Sequence, residues 1–80
     1  MTDGKWINFV EVAFKGKTKK FNVHNKETGT MLGEVKWYGP FRQYSFFPFP
    51  NMVFERQCLL DIIRFIHDLM NQRKLRRKLL

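Results

Sequence analysis

The chain holds a single cysteine, Cys58, so no disulfide can close within it. That excludes a disulfide-stapled secreted scaffold and fits a reducing cytoplasm. No apolar run reaches the ~18 residues that a membrane-spanning helix needs, and Met1 to Lys5 lack the charged-then-apolar pattern of a signal peptide. Acidic residues are few, 7 against 15 Lys and Arg, which leaves a net charge of +8. They are also dispersed, so no carboxylate pair suggests acid–base work. The two histidines, His24 and His67, have no Ser, Cys or Asp at a spacing that suggests nucleophilic catalysis. A zinc site from Cys58, His24 and His67 lacks a fourth ligand and any recognisable spacing. Cys58 itself reads as a small buried hydrophobe. The expectation is a protein that is not an enzyme and uses no cofactor or metal.

What the chain does have is a dense aromatic stretch, Gly33 to Pro48, with Trp37, Tyr38, Phe41, Tyr44, Phe46 and Phe47 interleaved with charges. Gly39-Pro40 punctuates it, since glycine permits positive φ and proline fixes φ and lacks a donor. The reading is a β-hairpin. A two-residue loop sets Tyr38 opposite Phe41, Trp37 opposite Arg42 and Val35 opposite Tyr44. One face then carries Gly33, Val35, Trp37, Arg42, Tyr44 and Phe46, and is the better core candidate; the other carries Leu32, Glu34, Lys36, Tyr38, Phe41, Gln43, Ser45 and Phe47. Arg42 would lie over the Trp37 ring. A loop that moves the pairing by one residue exchanges the faces, and the sequence leaves both registers open.

Residues 6–14 (WINFVEVAF) form a first candidate strand, rich in β-branched and aromatic residues on both faces. The basic loop that follows contains Gly16-Lys17-Thr18, but Glu11 stands where a phosphate-binding loop has its first glycine, and no helix pattern follows. Residues 19–24 are the second strand, with Phe21 and Val23 inward and Lys20, Asn22 and His24 outward. Asn25 to Gly29 is a turn in which Asn25 bonds through its side chain and Gly29 takes the left-handed position. Strands three and four span about 30–38 and 41–47, and Pro48-Phe49-Pro50 ends the pairing. From about residue 55 to 75 the period is helical, with an apolar stripe of Phe54, Cys58, Leu59, Ile62, Ile63, Ile66, Leu69 and Met70. Leu60 and Phe65 flank it, and Asp61 falls on the polar side. The expected fold is one small α+β domain: an antiparallel meander of three to four strands with one long C-terminal helix packed on the sheet.

The positive charge gathers in two places, residues 15–20 and the tail 73–80. Such clusters suit phosphate backbones or acidic protein surfaces. The leading expectation is a nucleic-acid-binding module. Its phosphates would be met by Lys15, Lys17, Lys19, Lys20 and by Arg73, Lys74, Arg76, Arg77 and Lys78, and its bases by Tyr38 and Phe41 with Lys36, Arg42 and Gln43. The alternative is a protein that binds a protein partner, or itself as a homodimer, through the aromatic hairpin and the helix stripe. That reading predicts salt-tolerant binding sensitive to Tyr38 and Phe41.

The strings Lys36-Trp37-Tyr38-Gly39, Arg42-Gln43-Tyr44 and Phe46-Phe47-Pro48, ahead of an amphipathic helix, resemble small proteins of phages and prophages with no assigned activity. The resemblance covers roughly residues 20–72 and implies a phage origin, hence the cytoplasm of a bacterial host. The strand order resembles, more loosely, the sheet-plus-helix DNA-binding domains of the integrase-arm and plant AP2 type.

Overall fold

Each of the four strands is antiparallel to its neighbour in the chain, and the sheet order is β1-β2-β3-β4, a plain meander. In the computed structural model, residues 6–12 and 16–79 are described, with side chains of the last helix as far as Arg76. The strands are β1 (Ile7–Val12), β2 (Lys20–Asn25), β3 (Met31–Tyr38) and β4 (Gln43–Pro48); the helix is α1 (Arg56–Leu79). The chain is therefore α+β, as the alternation of a two-residue period with a helical one implies.

One sheet face is dry. Ile7, Phe9, Phe21, Val23, Val35 and Tyr44 are buried there, and Trp37 and Phe46 pack at its margin. The parity of β2 places Phe21 and Val23 on this face, as expected. In β1 the choice falls on Ile7 and Phe9, while Val10 stays 48% exposed on the other side. Gly33 is needed on the dry face. A Cβ there would stand 2.5 Å from the Phe47 carbonyl oxygen and 2.8 Å from the Phe46 ring, which fills the space that a side chain would take.

The β2–β3 turn is built as the sequence suggests. Asn25 Oδ1 accepts from the amides of Glu27 and Thr28 at 2.8 and 3.0 Å, and Gly29 has φ of 77°. The β3–β4 loop differs from the two-residue expectation. Gly39–Phe41 form a turn of 3-10 helix, Arg42 follows in the left-handed conformation, and Trp37 pairs with Tyr44 and Val35 with Phe46. The pairing thus moves by two residues rather than one. A shift of two does not in itself exchange the faces, and Phe41 and Arg42 pass from strand into loop. Leu32 is a second correction. The register breaks between Val23 and His24, Leu32 is left without a Cα partner, and the bulge turns it from the outer face into the core.

The helix covers the dry face, but with a different side from the one expected. Phe65, placed on a flank by periodicity, is at the centre of the contact. It stacks on Phe9 with centroids 4.0 Å apart and meets Phe21 edge-on at 4.8 Å. Ile62 and Leu69 join it, and Asp61 is buried, accepting from Gln57 Nε2 at 3.0 Å. Leu59 and Ile63, expected inside, are 45% and 60% exposed. Glu55 caps the helix: its carboxylate accepts from the Cys58 amide at 2.6 Å. Bonds from the amides of Gln57 and Cys58 hold its pKa below the ordinary glutamate value. Burial pushes the Cys58 thiol up, so it stays protonated at neutral pH.

Candidate nucleic-acid interface

The topology gathers the positive charge. In a meander the β1–β2 and β3–β4 loops lie at one end of the sheet and the β2–β3 turn at the other. The helix starts near the far end and returns, so its C-terminal turns come back to the end that holds both loops. At 1.5 Å per residue its 24 residues run about 36 Å, against about 27 Å for the eight of β3, the longest strand. The described cations of the two basic clusters, which are separated by the stretch from Lys20 to Arg73, thereby become neighbours.

Two adjoining clefts mark the place. One, of about 870 Å³, is lined by Trp37, Gly39, Arg42, Met70, Asn71, Arg73 and Lys74. The other, of about 500 Å³, is lined by Lys17, Lys19, Tyr44, Leu69, Gln72, Arg73 and Arg76. Arg73 is common to both, and among the described residues no carboxylate or imidazole lines either. Glu11 and Asp68 border the basic end, in a smaller hollow that shares Lys19, Leu69 and Gln72 with the second cleft. The negative end of the helix dipole also points here, and Arg73, Lys74 and Arg76 offset it.

Packing fixes the floor. The Arg73 guanidinium lies 4.2 Å from the centroid of the Trp37 ring, and that ring meets Tyr44 edge-on at 5.5 Å. This corrects the expectation that Arg42 covers Trp37: with φ of 52°, Arg42 sits in the loop, beside the same cleft. The Tyr44 hydroxyl accepts from the Lys19 amide at 3.0 Å, which ties the β1–β2 loop to the sheet.

The expected contact residues divide into two groups. Lys17, Lys19, Arg42, Arg73, Lys74 and Arg76 line the clefts. Lys20, Lys36, Tyr38, Phe41 and Gln43 belong to the outer side, away from the helix. There Lys20 and Lys36 flank Glu34 at 3.1 and 3.6 Å, so one of their two charges is offset. Phe47 lies under the Lys36 ammonium, 4.6 Å from it, and meets Tyr38 edge-on at 5.7 Å; Tyr38 in turn meets Phe41 at 4.8 Å. Lys15 lies outside the described residues, as do the side chains of Arg77 and Lys78. The roles of Trp37, Asn71 and Gln72 in lining the clefts depend on where the helix ends relative to the hairpin, and no local pattern signals them. Cys58, His24 and His67 stay apart: among the described residues no three His, Cys, Asp or Glu are grouped as metal ligands. Nor is any helix of the described residues long and apolar enough to cross a membrane.

Comparison with known proteins places the chain. It is 38% identical over 71 residues to the uncharacterized 9.3 kDa protein of Acholeplasma phage L2, an alignment that covers 88% of this chain and 91% of that protein. The chain belongs to the family of that small phage protein. No family model and no solved structure matches it.

Proposed function

We propose that this phage-type protein is a small non-enzymatic module that binds nucleic acid through its basic end. The observation that carries the reading is the convergence of three chain segments on two clefts whose charged lining, among the described residues, is cationic throughout. A repeating phosphate backbone is the ligand that rewards such an arrangement, because each neutralised phosphate releases condensed counterions. The lining suits binding rather than turnover: it combines guanidinium and ammonium groups with indole, phenol and side-chain amides. The test is a titration against single-stranded and duplex DNA and RNA at two salt concentrations. The expected result is affinity that falls steeply with salt. No affinity for any of them at low salt would sink the reading.

A second reading rests on another face. Leu59, Ile63, Ile66 and Met70 recur at the spacing of a coiled-coil seam; Leu59 and Ile63 are exposed, as are Leu60 and Val53, while Ile66 and Met70 are half-buried against the core. A second copy laid antiparallel would match this stripe to itself and keep the two basic ends apart, as a chain of +8 requires. Light scattering over a concentration series is expected to show a dimer that Ile63→Glu reduces to monomer without lowering the melting temperature. A mass that stays monomeric at every concentration counts against it.

A further inference from the structure

We infer that the nucleic acid is single-stranded, and that it passes from the cationic clefts over the β3–β4 tip so that a base stacks on Phe41. The inference rests on the nucleic-acid reading above and gives the class of ligand.

Phe41 is 67% exposed, yet it is not loose. It closes a 3-10 turn begun by Gly39-Pro40, and its ring meets Tyr38 nearly perpendicularly, at 4.8 Å and 77°. Tyr38 is braced in the same way by Phe47, at 5.7 Å and 72°. A ring so exposed adds little to the core. What it offers is a flat apolar surface held in a fixed orientation, the form in which proteins present a stacking platform to an unpaired base.

The tip also joins the two sides of the sheet. Phe41 stands with the outer-face rings, while the next residue, Arg42, turns through its left-handed φ of 52° and lines the Trp37 cleft with Arg73 and Lys74. A strand whose phosphates lie against Arg42 and Lys74 therefore has its next base within reach of Phe41. Beyond Phe47, Glu34 lies between Lys20 and Lys36 and offsets one of their two positive charges, which weakens the pull on a further phosphate. Duplex DNA keeps its base faces inside the stack, so it can use the cations but not this ring.

The experiment is fluorescence anisotropy with a labelled oligo(dT) and with a labelled hairpin duplex, on wild type, Phe41→Ala and Phe41→Trp, over a salt series. Wild type is expected to bind oligo(dT) more tightly than the duplex. Phe41→Ala should weaken oligo(dT) roughly 5- to 150-fold, the equivalent of one lost stacked base, with the salt slope and the duplex affinity unchanged. Phe41→Trp should bind oligo(dT) at least as well as wild type. The inference is overturned if Phe41→Ala binds oligo(dT) as wild type does, or if it weakens both probes alike. In either case the cationic site still stands. If neither probe binds wild type at low salt, the nucleic-acid reading itself falls, and this inference with it. Phe41 is exposed, so a thermal melt of each variant checks that folding is unaltered.

Discussion

Phe65→Ala is expected to unfold a large fraction of the protein at ordinary growth temperatures. The side chain is 6% exposed and joins three elements: it stacks face to face on Phe9 of β1 and meets Phe21 of β2 edge-on. Cutting a buried phenylalanine back to alanine costs about 3–5 kcal/mol, through lost transfer energy and the cavity left behind. A domain of 80 residues has only about 4–12 kcal/mol of stability in all. At roughly 4–8 °C per kcal/mol for a chain of this size, the melting temperature should fall by roughly 12–40 °C. Circular dichroism on heating measures it. Ile63→Ala is the comparison, two residues away and 60% exposed, where a surface change should stay within about 0.5 kcal/mol. If the two variants melt together, the helix is not anchored through Phe65.

That pair of residues also shows where sequence reading succeeds and where it stops. The strands were legible because their information is local: parity alone puts Phe21 and Val23 inside, and Asn25 and Gly29 announce their own turn. The hairpin faces survived an incorrect loop length because the pairing moved by an even number of residues. The helix was legible as an element but not in its rotation. Its apolar residues span a broad arc that includes both Ile62 and Ile63, and periodicity cannot tell which edge of that arc meets the sheet. The sheet decides it. Phe9 and Phe21 leave room for a flat ring, and Phe65 supplies one, which carries Leu59 and Ile63 out into water. The bulge at Leu32 was equally out of reach, being a property of two strands together. The candidate interface follows the same division. Both basic clusters were visible as composition, but their union depends on the return path of the helix. The guanidinium over Trp37 belongs to Arg73, far along the chain, and not to the nearby Arg42.

The largest effect on binding is expected from Lys17→Gln, Lys19→Gln, Lys74→Gln and Arg76→Gln made together. These cations come from the β1–β2 loop and the helix end, and all line the two clefts. Arg73 is left in place, because its removal would disturb the packing over Trp37 as well as the charge. Each lost phosphate contact should lower the slope of log K against log salt by about 0.7–0.9, so four should flatten it by roughly 3. At about 0.1 M salt the same change amounts to roughly 10³-fold in affinity. The melting temperature should hold or rise slightly, since like charges that crowd one end destabilise the free protein. The necessary control removes charge from the other end: Lys26→Gln, in the β2–β3 turn, with Arg56→Gln, at the start of α1. A site at the basic end predicts that this control keeps both slope and affinity nearly unchanged. If affinity instead falls in proportion to the charge removed, wherever it is removed, then nucleic acid is attracted by the overall charge of the molecule and the clefts hold nothing in particular. The two outcomes differ because a phosphate in contact releases its counterions, while a charge on the opposite side of the domain is screened within a Debye length of about 10 Å.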